Sequence, residues 1–326
     1  MKKFIIKRIL ISIPVFLGIT LLVYVLASCA PGSPAEMLMG GEVNDLSEMT
    51  PEKYVEVEAK LGLDQPVIVQ YGKWLLQLLQ GNLGTSYRTK DAVLEMIMSR
   101  IGSTVLLTLS ATCLSAVIAI VLGIMSAYKP YSLWDYISSA FSFIGASMPN
   151  FFIGMLLIYF FAVKVKILPS SGMYDSARDT SLPSLLKHMI LPMTTLCFQQ
   201  IGSILRQTRG SMLDVLGSDF IRTSRAQGVG EVLVVLRHGL RNALIPILTV
   251  LMGMLPFIIS GAVITEQIFS WPGLGSLMVQ SINSRDYPVI MGMTVFISAV
   301  VLLSNLLLDV AYGIADPRIR HSRNRS

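Results

Sequence analysis

Gly72-Lys73-Trp74 sets a glycine beside a lysine, the pairing that closes a phosphate-cradling loop. Such a loop needs G-x-x-x-x-G-K-[ST], with an earlier glycine for close backbone approach and a hydroxyl after the lysine to ligate magnesium, and this stretch has neither. No H-E-x-x-H run, Ser/His/Asp set or carboxylate pair with a credible pocket is visible elsewhere. Cys29, Cys113 and Cys197 each lie in or beside an apolar run, which gives neither a disulfide framework nor metal-ligand spacing, and the three histidines are scattered. The chain is therefore expected to carry no catalytic, cofactor or metal residues and not to be an enzyme. What it does carry is polar groups inside apolar sequence: Asn150, Gln199, Gln200 and Glu266. Polar groups in hydrocarbon are costly unless they face water or a partner, so these four are candidates for lining a translocation path. Hydrogen bonding between helices is the competing reading for Asn150, Gln199 and Gln200. Glu266, at the end of its run, could equally be a solvated gate residue.

A second group of side chains is concentrated in residues 222–246, RTSRAQGVGEVLVVLRHGLRNALIP, which bring Arg222, Arg225, Arg237 and Arg241 between two apolar runs. Gly217 should end a helix, Ser218 should cap the next, and Asp219 to Gln227 makes two turns before Gly228 breaks them. A further helix beginning near Glu231 puts Val232, Val235, Leu236, Gly239 and Leu240 on one stripe, with Glu231, Arg237, His238 and Arg241 off it. The expected element is two short angled helices joined by a glycine elbow. It could lie on anionic lipid, where each Lys or Arg is worth about 1 kcal/mol. A short apolar stripe flanked by arginine and ending at glycine also suits a groove on another protein.

The elements that must hold these groups follow from composition. With 53% hydrophobic residues, 14% charged residues and a mean hydropathy of +0.64, the 326-residue chain is a membrane protein rather than a soluble domain. Its formal charge of +6 is not arranged in a stripe with aromatic stacking partners, so nucleic acid is not expected as a partner. A charge at the bilayer centre costs roughly 2.5 to 3.5 kcal/mol, which makes charge-free windows of about 20 residues decisive. Six qualify: Ile9 to Cys29, Ile101 to Tyr128, Tyr136 to Val163, Met189 to Leu205, Asn242 to Thr265 and Tyr287 to Leu308. The first, with basic residues before it and Leu26-Ala27-Ser28-Cys29 at its end, resembles a lipoprotein signal, but its apolar run is too long and five more windows follow. Cys29 is instead read as small, buried and inert.

Lysine and arginine collect on one side of these windows. Lys2, Lys3, Lys7 and Arg8, then Lys129, then Arg206, Arg209 and the four arginines of the elbow, then Arg318, Arg320, Arg323 and Arg325 all share it, which assigns that side and both termini to the cytoplasm. The segment 30–100 then faces outward. Thr50-Pro51 reads as a helix start and Leu61-Gly62 as its stop. A second helix is expected over Val67 to Leu79, with Ile68, Tyr71, Trp74, Leu75, Leu78 and Leu79 on one side and Gln70, Lys73, Gln77 and Gln80 on the other. It is either an interfacial helix anchored at the headgroups by Tyr71 and Trp74, or a docking surface for an external partner. Gly145 and Pro149 should kink the third window.

The elbow resembles the cytoplasmic coupling loop of binding-protein-dependent ABC importer permeases, in the peptide, nickel and opine branch. Arg222, Thr223, Arg225, Ala226 and Gly228 fit its first part, and Leu236, Arg237, His238, Leu240, Arg241, Asn242, Ala243, Leu244 and Pro246 its second. The likeness extends in order through Gly81-Asn82-Leu83-Gly84, Ser147-Met148-Pro149-Asn150-Phe151, Glu266-Gln267-Ile268-Phe269-Ser270-Trp271-Pro272-Gly273-Leu274-Gly275, Arg285-Asp286-Tyr287-Pro288-Val289 and Asp316-Pro317-Arg318. Ser224 and Gln227 depart from the small and basic residues usual in this loop, which puts an ion pair at Gln227 in doubt. The resemblance implies an all-α, six-span polytopic permease with a MetI-like core. It implies a cytoplasmic amino end (1–8), a first span (9–29), an extracytoplasmic helical segment (30–100), the core (101–315) with its coupling loop (210–241), and a cytoplasmic tail (316–326). It also implies partners: a second related permease subunit, two ABC ATPase subunits that hold ATP and magnesium, an extracytoplasmic substrate-binding protein, and membrane lipids. Asp219, Arg222, Thr223, Arg225, Ala226, Gln227, Gly228, Glu231, Leu236, Arg237, His238 and Arg241 would be the coupling residues. The implied cargo is a di- or oligopeptide, with a nickel chelate or glutathione as the nearest alternative. An ion-coupled secondary carrier would show internal repeats and buried mid-membrane carboxylates.

Overall fold

The computed structural model describes residues 2–29, 64–176, 178–260 and 262–315. Among them the chain is helical apart from turns, loops and one isolated bridge between Thr85 and Ala92. The helices are α1 (Lys2–Ser28), α2 (Val67–Leu79), α3 (Val93–Tyr128), α4 (Leu133–Ser147), α5 (Asn150–Leu157), α6 (Leu182–Leu216) and α7 (Asp219–Ala226), then α8 (Glu231–Leu233), α9 (Arg241–Gly253), α10 (Leu255–Ser260), α11 (Val263–Ile268), α12 (Leu274–Asn283) and α13 (Tyr287–Ala315). Wider π-type turns extend α5 over Ile158–Lys164 and join α8 to α9 over Val234–Leu240. The expected helix starting at Thr50 and the tail motif from Asp316 lie outside the described residues.

Among the described residues, four helical stretches are long and apolar enough to cross a bilayer: Ile5–Ser28, Val93–Tyr128, Glu231–Ile258 and Tyr287–Val310. The third expected window is not one straight crossing, because α4 and α5 with its extension meet at a bend of 106°. Pro149 is the cause: it disfavours the helical region for the residue before it, and Met148 is extended at φ −88°, ψ 130°. The expected fourth window lies inside α6, which does not belong to the apolar stretches. Its 35 residues include Lys187, His188, Gln199, Gln200, Arg206 and Arg209. A helix lined by protein can keep such groups where a lipid-facing one cannot. The fifth window, Asn242 to Thr265, is also revised. Its helix starts eleven residues earlier, at Glu231, and α11 is a separate element.

The chain divides into two compact units, Met1–Gly102 with Ser276–Leu306 and Ser103–Gly275 with Leu307–Ser326. In the first, Tyr71 and Trp74 of α2 pack on Tyr24 of α1, with ring centroids 5.7 and 5.5 Å away. Gly84 and Pro288, distant in sequence, also meet there, a Cβ at Gly84 falling 3.7 Å from the proline ring. Asp286 is buried and accepts from the Ser86 hydroxyl and, at 3.1 Å, from the Tyr87 amide. Burial, then the Asp286 carboxylate and Tyr24, push the Tyr87 hydroxyl up to about 12.

In the second unit α6 is the central helix. Its Leu196, Ile201, Ile204 and Leu205 form one core with Leu107, Ala111 and Ala119 of α3 and the fully buried Trp271. Backbone meets backbone where α4 crosses it: a Cβ at Gly145 would collide with the Phe198 carbonyl, and one at Gly202 would lie 2.8 Å from the Ser142 carbonyl. Ser142 uses the closeness to donate to the Gly202 carbonyl at 2.8 Å. Small residues at a crossing of this kind let two membrane helices gain dispersion contact that bulkier side chains would forbid. Cys29 is exposed at the end of α1, contrary to the expectation of a buried thiol, while Cys197 is buried in this core.

Candidate functional site

The elbow is built as two helices around one left-handed residue. Gly217 ends α6 as expected, and α7 follows. The Ser218 hydroxyl does not cap α7; it turns back and donates to the Val215 carbonyl at 2.5 Å. Ile221 anchors α7 as a fully buried side chain, leaving Asp219, Arg222, Thr223, Arg225, Ala226 and Gln227 exposed. Gly228 has φ +79°, a conformation that costs a side-chain-bearing residue roughly 1 to 2 kcal/mol. The helix restarts at Glu231, and a two-pronged ion pair bridges the break: Arg225 Nη2 donates to Glu231 Oε1 at 2.6 Å and Nε to Oε2 at 3.2 Å. That pair raises the Arg225 guanidinium above its ordinary value, first through the hydrogen bond to Glu231. Arg222 and Asp219, 3.7 Å apart and fully in solvent, contribute little.

The apolar face of the second helix differs from the expected stripe. Val234, Val235 and Gly239 are buried, whereas Val232 and Leu236 are 73% and 50% exposed. The physical reason is the π-type turn over Val234–Leu240: its i→i+5 hydrogen bonds widen the period beyond the 3.6 residues on which the stripe was counted. Gly239 lies where a Cβ would come within 3.2 Å of Met212 and 3.3 Å of Leu216. Met212, Val235, Ala243, Ile247 and Ala127 form one small core, so the elbow is rooted at once in α3, α6 and α9. Arg237 and Arg241 are exposed; His238 is half-buried, and its carbonyl accepts from Asn242 at 2.7 Å. The elbow therefore displays Phe220, Val232, Leu233 and Leu236 together with its arginines.

A lock that sequence reasoning misses joins α4 to α6 and α3. Asp135, at the start of α4, has a side chain 5% exposed and accepts from Arg209 of α6 through both oxygens, Nε to Oδ1 at 2.7 Å and Nη2 to Oδ2 at 2.8 Å. Ser126 of α3 and the Tyr131 amide complete its shell. In the sequence Asp135 only borders an apolar window and Arg209 only counts toward topology. The signal was a lone acid at the end of a window whose nearest loop charges are basic.

The four path candidates do not converge on one lining. Asn150 of α5 donates to Gln199 of α6 at 2.7 Å, an interhelical hydrogen bond. Gln200 is buried, and neither its amide nitrogen nor its oxygen finds a partner among the described residues. Glu266 is not a solvated gate residue in this conformation: it is fully buried, accepting from Thr104 at 2.7 Å and from the Gly275 amide at 2.7 Å. Thr104 in turn accepts from the Leu274 amide at 2.7 Å, so this carboxylate fixes the turn that follows α11. A cavity of about 330 Å³ is lined by Leu114, Ile118, Trp134, Phe141, Cys197 and Phe198 among others, and none of the four candidates reaches it.

Among the described residues, several long apolar helices and an exposed basic elbow rooted in their core define a multi-pass membrane protein. The chain belongs to the binding-protein-dependent transport system inner membrane components, matching that family over residues 119–321 and its N-terminal component over residues 1–108. It is 44% identical to the oligopeptide transport system permease protein AppB of Bacillus subtilis over 98% of this chain and 100% of that one. It is 40% identical to a putative peptide permease protein of Brucella suis (98% and 99%) and 36% identical to the dipeptide transport system permease protein DppB of Escherichia coli K12 (99% and 100%).

Proposed function

We propose that this chain is the permease subunit of an ATP-driven peptide importer, enclosing half of a translocation path with a related permease. Two ATPase subunits sit beneath the permease pair, one of them docking on this chain's elbow from the cytoplasm, where both termini lie, and an extracytoplasmic binding protein delivers di- or oligopeptides. The cargo rests on full-length relatives named for oligopeptide and dipeptide transport. The coupling role rests on one observation above others: Val232 and Leu236 are displayed on an element that is clamped by Arg225–Glu231 and rooted through Gly239 in the core around Met212.

The mechanical argument is quantitative. Driving a two-state path from 1:99 to 99:1 takes roughly 5.5 kcal/mol of differential interaction. This chain supplies none of it by hydrolysis, so the energy must arrive through contact and pass along something stiff. A floppy loop would dissipate it. Here the clamp holds α7 at a set angle to the helix that runs on from Glu231 toward Ile258, and a push on α7 moves that helix.

Vesicles holding this chain, its permease partner and both ATPases should take up a radiolabelled dipeptide only when the binding protein and ATP are both present. Vesicles with this chain alone should show no uptake above leak. Accumulation by the single chain, or uptake indifferent to ATP, would overturn the reading.

A further inference from the structure

Helix α2 has two apolar faces, and among the described residues only one packs against another helix. Gln70, Tyr71, Trp74, Leu75 and Leu78 turn toward α1 and are half-buried. Ile68, Leu76 and Leu79 point elsewhere and are 69%, 61% and 72% exposed. At 100° per residue these three, with Val69, cover a stripe beside the first face, and Lys73, Gln77 and Gln80 fill the remaining arc. A helix of 13 residues is about 20 Å long, too short to cross a hydrocarbon core of about 30 Å.

Its depth is set by where it touches α1. The Tyr71 and Thr20 hydroxyls lie 3.0 Å apart, Tyr71 also reaches the Leu17 carbonyl at 3.4 Å, and Tyr24 donates to Gln70 at 3.0 Å. Thr20 is eight residues before the end of α1, about 12 Å along its axis. That distance falls inside one leaflet of a bilayer that α1 crosses. The hydroxyls of Thr20, Tyr24 and Tyr71 and the Gln70 amide pair within the protein: Thr20 is fully buried and donates to Leu17, and Gln70 donates to the Gln65 carbonyl at 2.7 Å. Backbone and side-chain groups at hydrocarbon depth require this, and groups in water do not. Tyr71 and Trp74 both pack against the span, and the Tyr71 hydroxyl is spent on α1 rather than on headgroups.

We infer that α2 lies within the leaflet that holds the carboxyl-terminal half of α1, and that its Ile68, Leu76 and Leu79 face lipid acyl chains. Lys73 snorkels toward the headgroups. The inference rests on α1 being a span and is independent of cargo and of ATP coupling.

The test uses the complete importer in vesicles, with Cys29, Cys113 and Cys197 replaced by serine or alanine and one new cysteine, Leu76→Cys or Lys73→Cys, carrying a bimane label. Peptide uptake by the labelled complex checks that the assembly is intact. Nitroxide-bearing phosphatidylcholine should quench the label at position 76 several-fold more than aqueous iodide does, with the order reversed at position 73. Equal iodide quenching at both positions would overturn the inference. Protection of position 76 from both quenchers would also overturn it, by showing that a protein partner covers this face. Either result with uptake preserved would leave the importer reading untouched.

Discussion

Leu236→Asp should abolish ATP-dependent uptake while the chain stays inserted and folded. Leu236 is half-exposed in the isolated subunit, so a carboxylate there meets water and alters folding by no more than the roughly ±0.5 kcal/mol usual for surface changes. At an interface the balance is different. Losing a large apolar anchor at the centre of a contact costs about 2 kcal/mol or more, and burying an unpaired carboxylate adds to that. Together they weaken ATPase docking by more than ~100-fold, at ~1.4 kcal/mol per tenfold. Uptake and co-purification of the ATPase subunits are the readouts, with membrane-inserted protein as the control. Leu236→Met, which keeps apolar volume, should retain both. An aspartate variant that transports at the normal rate would remove the elbow from the energy path.

Arg209→Met should be strongly destabilising. It strips both hydrogen bonds from a carboxylate whose side chain is only 5% exposed, leaving the Ser126 hydroxyl and Tyr131 amide as its remaining donors. Removing one partner of a buried pair costs about 3–5 kcal/mol, because the surviving charge is stranded. Thermal unfolding of the detergent-solubilised complex should show a clear drop. Replacing both partners, as Asp135→Leu with Arg209→Met, should recover most of the loss, since two apolar groups strand nothing. A double variant as unstable as the single one would mean that the pair is not a lock but that its shape is irreplaceable.

The helical architecture was legible because the bilayer imposes so simple a demand: long apolar runs with no charge. α2 was read with its observed bounds, Val67–Leu79, and the break at Gly228 fell where glycine was expected to take it. The faces of these helices were harder. The stripe through Val232 and Leu236 was counted at 3.6 residues per turn, and the π-type turn over Val234–Leu240 falsifies that period without leaving any trace in composition. Gln70 was placed on a polar side because glutamine is polar, yet Tyr24 offers it a donor next to the membrane span. Glu266 could be placed only as a path candidate or a solvated gate residue, because nothing in sequence reveals that Thr104, 162 residues earlier, and the Gly275 amide will close around it. The Asp135–Arg209 lock is a pairing over 74 residues, which only the packing of α4 against α6 discloses. Local signals were therefore readable, while partners brought together by tertiary packing were not.

A photo-crosslinking residue at position 232, carried by the assembled importer in inverted membranes, tests the central claim most directly. Val232 is among the most exposed apolar residues of the elbow, so the probe perturbs nothing that the chain itself uses. The account predicts a crosslink to an ATPase subunit whose yield changes when ATP is trapped there. A probe that reacts only with lipid, or that a membrane-impermeant reagent reaches from the extracytoplasmic side, would contradict it.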